Sequence, residues 1–202
     1  RIDQGAMDSS GFEARHVSRY FVRRRETGGK FKGKTHTLRY RRFPKLALLG
    51  DCRTHLILAV HPEGGPSPDF GHIDGLVTRA QELVRMYSLA ADAGYDAEWV
   101  HVFIRLIYGT RTIIPPKHGR PGSKPPRGYF RSLMHHRFNK KRYGQRWQAE
   151  TIISVIKRRL SDCLGACKVR MQHRALNLKA LVYNLMIVAV LRQVFYTAGR
   201  DS

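Results

Sequence analysis

Two apolar runs separated by only two residues constrain this chain more than anything else in it. Residues 45–51 (KLALLGD) and 54–60 (THLILAV) are dominated by Leu, Ile, Ala and Val, with Cys52 and Arg53 between them. Runs this short and this close together form a hairpin in an antiparallel sheet. The remaining segments must extend that sheet or cover it.

The rest of the chain supplies both. Residues 5–12 (GAMDSSGF) read as a short buried strand ending at Asp8, followed by a turn. Residues 17–25 (VSRYFVRRR) alternate enough for a strand or an irregular extension. Residues 26–43 are rich in Gly, Lys and Arg and read as a mobile basic loop, and residues 61–69 (HPEGGPSPD) as a turn cluster. Ile73, Leu76, Val77, Ala80, Leu83 and Val84 recur at helical spacing within residues 69–87. A small strand, residues 88–92, ends at Asp92. It leads through a Gly turn to a helix at 95–109 and a short strand at 112–116. Residues 115–138 carry too much Pro, Gly, Lys, Arg and His to bury apolar surface, so they read as a basic loop used on a ligand. Helices at 139–164 and about 172–197 close the chain. The fold class is α/β, a mixed sheet flanked by helices in one domain.

Charge narrows the function. The 202 residues hold 37 Lys and Arg against 15 Asp and Glu, a formal net charge of +22. Such a surface attracts polyanions, nucleic acid foremost. A membrane surface fits less well, because the basic residues are spread along the chain and not confined to one amphipathic helix. The run 181–191 is apolar but short and interrupted by Asn184, so it reads as a buried helix. Cys52, Cys163 and Cys167 form no even framework and no complete zinc set, which fits free thiols in a reducing cytoplasm. Residues 1–7 run directly into strand-like sequence, so a further region is expected ahead of them.

The candidate chemistry centres on residues 143–157 (YGQRWQAETIISVIK). From Tyr143, the offsets to Arg146, Glu150 and Lys157 fall within roughly 60° on a helix of 100° per residue. A phenol, a guanidinium, a carboxylate and an ammonium thus share one stripe, while Ile152, Ile153, Val155, Ile156 and Leu160 lie mostly opposite. The plain alternative is a solvated face with ion pairs along the helix. Asp8 and Asp92 each close a strand and precede a turn. With Glu150 they could converge at a sheet edge as an oxygen-rich cage for two hard divalent cations, Mg²⁺ or Mn²⁺, the arrangement that drives phosphodiester chemistry.

Rivals exist for each acid. Asp51 could replace Asp8, but it reads more simply as a hairpin-turn residue capping backbone amides. Asp96 could replace Asp92, but it suits the start of the following helix, and Glu98 its first turn. Trp147 could stack on an unpaired base or pack in the core. His135 and His136 read as polar surface or phosphate contacts. Arg39, Arg41 and Arg42, like residues 23–25 and 140–142, read as contacts to the DNA backbone that position a duplex without reading its sequence.

These residues resemble the catalytic domain of insertion-sequence DDE transposases. In that family the third acid sits in a Tyr-Arg-Glu-Lys helix pattern, matched by Tyr143, Arg146, Glu150 and Lys157. The first acid stands in an Asp-Ser/Thr-Ser/Thr-Gly context, matched by residues 8–11, and the second precedes a Gly-aromatic turn, matched by residues 92–95. The resemblance covers most of residues 6–190. It implies a ribonuclease-H-like fold and catalytic, metal-binding Asp8, Asp92 and Glu150. Tyr143, Arg146 and Lys157 of that pattern are expected to contact DNA, with Trp147 adjoining the stripe as a further candidate contact. The resemblance also implies metal-dependent cleavage by water, then attack of a 3′-hydroxyl on target DNA, with no covalent protein–DNA intermediate. The expected partners are element ends and target DNA, with a homodimer as the active complex and no membrane. The family often carries an end-binding region before the first acid, so end recognition is not expected of this stretch. A non-catalytic DNA-binding remnant and a nuclease of the same fold remain as alternatives.

Overall fold

A computed structural model describes residues 1–16, 21–27, 35–68, 71–117 and 126–198. Its centre is β1 (Ile2–Gly11). After the two-residue β2 (Glu13–Ala14) and a hairpin of β3 (Phe21–Thr27) with β4 (Thr35–Arg41), the apolar runs form β5 (Phe43–Asp51) and β6 (Ile57–Gly65). Helix α1 (Ile73–Leu83) crosses over to β7 (Met86–Ala90). Helix α2 (Glu98–Val102), which continues as a π-type turn over Phe103–Ile107, leads to β8 (Arg111–Ile113). The chain then runs through α3 (Tyr129–His136), α4 (Lys140–Tyr143), α5 (Trp147–Leu160), β9 (Cys163–Leu164) and α6 (Val169–Ala198).

Five strands make the main sheet in the order β6-β5-β1-β7-β8. β5 is antiparallel to both β1 and β6, whereas β7 is parallel to β1 and to β8. Four strands therefore share one direction and only β5 opposes them. The carboxyl ends of β1 and β7 consequently lie side by side, at the end where open α/β sheets usually bind ligands. The mixed sheet flanked by helices agrees with a ribonuclease-H-like fold.

Both faces are covered, and this explains why β5 is apolar from Leu46 to Leu49 and does not alternate there. On one face Met7, Ala47, Leu49 and Leu89 pack against Ile73, Leu76, Val77 and Ala80 of α1 and against Val100 and Ile104. On the other, Ala6, Leu46, Leu48 and Ile57 pack against Ala149, Ile152 and Ile156 of α5 and Leu176, Ala180 and Tyr183 of α6. Fully burying one such aliphatic side chain contributes about 1.5–3 kcal/mol. Gly50 lets α5 come close: a Cβ there would sit 2.5 Å from the Ile152 Cδ1.

Several segments differ from the sequence reading. β1 continues through Asp8 to Gly11, because Ser9, Ser10 and Gly11 keep pairing with Ala47, Leu46 and Lys45. Much of the expected basic loop at 26–43 is a β-hairpin, with Arg23 paired to Arg39 and Phe21 to Arg41. Its turn, 28–34, lies outside the described residues, as do residues 17–20. β6 runs on to Gly65, into the expected turn cluster. The expected loop at 115–138 contains α3; residues 118–125 of it lie outside the described residues. The Glu98 carboxylate accepts from Phe130 N and Arg131 N, so the cap for α3 comes from a distant helix and leaves no local sequence signal. The expected helix at 139–164 is broken: α4 ends at Tyr143 and a 3₁₀ turn over Gly144–Arg146 precedes α5. α6 is buried along one side only, leaving Leu178, Leu181, Leu185 and Val188 exposed. By length and composition its Val169–Gln193 stretch could cross a membrane, weak grounds taken alone.

Candidate active site

Asp8 lies on β1 on the face covered by α5, beside Leu48 of β5. Asp92 follows the end of β7, the parallel neighbour of β1, and its Oδ1 accepts from Ala93 N at 2.6 Å. Asp8 thus stands inside β1, three residues before its end, and Asp92 two residues past the end of the adjacent β7, on the same side of the sheet's end. β1 is the central strand, so the place lies at the middle of one end of the sheet.

Glu150 stands in the first turn of α5, where the helix dipole favours a negative charge, and its side chain is half exposed. The buried row Ala149, Ile152, Ile153 and Ile156 fixes α5 on the sheet and turns Glu150 outward. Gln4 of β1 donates from Nε2 to the Arg142 carbonyl at 2.7 Å, and Cys52 donates from Sγ to the Gln145 carbonyl at 3.6 Å. These bonds tie the junction before α5 across the sheet. Gln4, a polar side chain in an apolar strand, is the sequence signal for this tether.

Arg146 lies between the acids. Its guanidinium donates to Glu150 Oε1, is 3.9 Å from Asp8 Oδ1, and sits over the Tyr143 ring at 5.8 Å from the centroid. Lys157, two turns further along α5, donates from Nζ to Ser10 Oγ at 2.8 Å and lies over the Phe12 ring. The stripe of Tyr143, Arg146, Glu150 and Lys157 thus runs along the end of β1 despite the break in the helix. Ser10 and Phe12 are partners the sequence reading did not single out. Trp147 is 53% exposed, so it packs in no core. Arg41 and Arg42 are exposed at the end of β4, and the side chain of Arg39 lies outside the described residues.

Burial pushes the Asp8 carboxyl up to about 6, and the neighbouring charges of Glu150 and Asp92 add to this; the Ser9 amide and Arg146 only partly offset it. Among the described residues the three carboxylates do not close into one set of oxygens within 4.8 Å. Asp8 and Glu150 share the Arg146 guanidinium, Asp92 adds its charge nearby, and the half-buried Asp8 holds its own charge reluctantly.

The rival acids are engaged elsewhere. Asp51 ends β5, the one strand of opposite direction, so it lies at the far end of the sheet opposite Gly5. It accepts from Arg53 N, Thr54 N and Thr54 Oγ1 and closes the hairpin turn. Asp96 is fully buried; it accepts from Arg131 at 2.7–3.0 Å and from Lys117 N, with His101 at 3.5 Å. Burial penalises its charge, but the bonds from His101 and Arg131 outweigh that and hold the carboxyl well below its usual range. The Cys52 thiol, pushed up to about 12 by burial and by Asp51, is no nucleophile. His135 and His136 form no metal cluster with other described residues.

Comparison with known proteins speaks to the fold and to the family. A solved piggyBac transposase, imaged by cryo-EM as a synaptic complex with hairpin DNA, is similar over 92% of this chain at 10% identity, with a TM-score of 0.52. The chain spans 46% of that protein's length, and at this identity the likeness speaks for the fold alone. No curated protein matches. The sequence pattern of the transposase DDE domain matches residues 1–185. With nearly the whole chain matched, the protein belongs to the DDE transposase domain family.

Proposed function

We propose that this chain catalyses metal-dependent phosphodiester cleavage and strand transfer of an insertion element, with Asp8, Asp92 and Glu150 as the metal ligands. The observation that carries this reading is that a half-buried Asp8, its carboxyl pushed up to about 6, stands beside Asp92 just past the next strand, while one guanidinium joins Asp8 to Glu150. An all-oxygen, triply acidic donor set suits hard cations, hence Mg²⁺ or Mn²⁺ and a pair of them. When bound, such ions lower the pKa of an attacking hydroxyl and stabilise the leaving oxygen.

The chain's own residues do the rest. Asp8 is carried by the central hydrogen-bonded strand, and Asp92 by the turn that directly follows the neighbouring one. Glu150, half exposed on α5, would complete the set. Arg146 and Lys157 flank the acids and would grip the phosphates beside the scissile bond, with Tyr143 backing Arg146 and Trp147 offering an exposed ring to an unpaired base. Water would cleave one strand to leave a 3′-hydroxyl, which then displaces a 3′-oxygen in target DNA. The basic surface, Arg39, Arg41 and Arg42 included, would hold the duplex by its backbone. The active complex would be a homodimer acting on chromosomal DNA in the cytoplasm, and residues 1–202 would form a single catalytic domain.

The test is nicking and strand transfer on DNA carrying the element's ends, with Mg²⁺ or Mn²⁺. Activity should vanish in Glu150→Gln while duplex binding persists. Activity undiminished in Glu150→Gln and Asp92→Asn would refute the assignment.

A further inference from the structure

On the opposite face of the sheet lies a second cluster of ligand-type side chains, which the transposase chemistry does not use. His61 and Glu63 are two apart on β6, an outer strand, so both point to the α1 side. His72 immediately precedes α1 and is buried. One ligand atom from each of the three lies within 4.8 Å of the others, the single such trio among the described residues. His72 Nδ1 is 3.3 Å from Glu63 Oε2, and the two imidazoles stack 4.6 Å apart at 9°.

The carboxylate is already oriented. Lys45, the cross-strand neighbour of Glu63, reaches its Oε1 at 3.2 Å and donates to the Ser67 carbonyl at 2.9 Å. Oε2 therefore faces the histidines while Oε1 has a cationic outer partner, as in protein metal sites whose ligands are held from behind. Burial and the charge of His72 depress the His61 imidazole, which favours its neutral, lone-pair-bearing form. A cleft of about 610 Å³ opens beside the trio, lined by Gly71, Asp74, Thr78 and Arg79 among others, so a water could complete the coordination.

We propose that His61, Glu63 and His72 bind one transition-metal dication of the zinc class, joining β6 to the start of α1. Two imidazoles and one carboxylate form a mixed nitrogen–oxygen set that prefers Zn²⁺ or its neighbours to Mg²⁺, so this site and the three-acid site would select different ions. The proposal is independent of the transposase reading, because it uses none of the same residues. The competing account is a plain charge cluster in which Glu63 merely pairs with Lys45 and His72.

The experiment is calorimetric titration of the metal-free full chain with Zn²⁺, and with Co²⁺ followed by visible absorption. We expect one equivalent of Zn²⁺ to bind with intense Co²⁺ ligand-field bands, unaltered by Asp8→Asn. His61→Ala should weaken binding by more than about 100-fold, beyond the 10–100-fold typical of losing an outer-shell partner. His61 is only partly buried, so this variant should fold, with circular dichroism as the check, and His61→Gln gives a milder second variant. Zn²⁺ should also raise the thermal midpoint of the wild type and not of His61→Ala. Absence of stoichiometric binding, binding lost in Asp8→Asn, or binding retained in His61→Ala and abolished by alkylating Cys52, Cys163 and Cys167 would each overturn the proposal.

Discussion

Asp96 and Asp8 are both carboxylates withdrawn from water, and they have opposite fates. Asp96 meets a guanidinium, an imidazole and a backbone amide, so its charge is held firmly and locks α2 to α3. Asp8 is half-buried with less in return, the Ser9 amide and a shared guanidinium at 3.9 Å, and its carboxyl rises to about 6. The difference separates an acid that completes the fold from one with coordination capacity left over. Burial alone does not mark a functional acid; burial with unmet demand for positive charge does.

The largest expected effect is on chemistry. Asp8→Asn or Glu150→Gln should lower strand cleavage by at least about 10³-fold, upwards of 4 kcal/mol of barrier, with circular dichroism unchanged. Asp96→Asn, tested in the same assay, should retain the chemistry in whatever fraction stays folded. If Asp96→Asn removes activity from a folded protein while Asp8→Asn does not, the comparison is inverted.

Stability should show the mirror image. Asp96→Ala leaves Arg131 and His101 facing a void and should cost about 3–5 kcal/mol in urea unfolding. Asp8→Asn should instead stabilise the metal-free protein at pH 7, by up to about 3 kcal/mol. The folded Asp8 carboxyl, at about 6, lies above its ordinary 3.8, so the native chain keeps a proton that the unfolded chain has released. The stability this contributes is present below about pH 4 and lost as pH rises through about 6. Asp8→Asn should flatten that limb of the pH profile. For Asp96 the sign reverses: its contribution is present at neutral pH and lost in strong acid.

The smallest effect sharpens the contrast among cations. Arg131 is engaged with Asp96, whereas Arg41 and Arg42 are exposed. Replacing Arg39, Arg41 and Arg42 together should lower the slope of log K against log salt for duplex binding by up to about 3. Parallel salt titrations for wild type and variant would show that these arginines do not touch the backbone.

What the sequence disclosed, and what it hid, follows from the range of each signal. The β5–β6 hairpin was legible because its pattern is local. The order of Asp8, Asp92 and the Tyr143–Lys157 stripe was legible because spacing along a chain is printed in it. Weighing Asp8 against Asp51 requires strand direction, and only the pairing of β5 against β1 places Asp51 away from Asp8, opposite Gly5. Helix α3 was hidden because its cap, Glu98, comes from another element. The β3–β4 hairpin was obscured by the Gly and Lys of its connection. The exposed row on α6 was missed because apolar composition resembles a buried helix whether or not something covers it.

The parallel pairing of β1 with β7 has a consequence for the order in which this molecule can assemble. Asp8 and Asp92 are neighbours in space but remote in the chain, with a hairpin, β5, β6 and α1 between them, and Glu150 arrives later still. Contacts of such long sequence separation form only after the intervening loops have closed, which makes them slow. The β5–β6 pair can form early from its own short turn, while the mutual repulsion of the three acids is encountered only when β7 and α5 dock. In refolding experiments, protection of the hairpin amides should therefore precede the perturbed titration of Asp8, which makes that carboxyl a reporter of the last step.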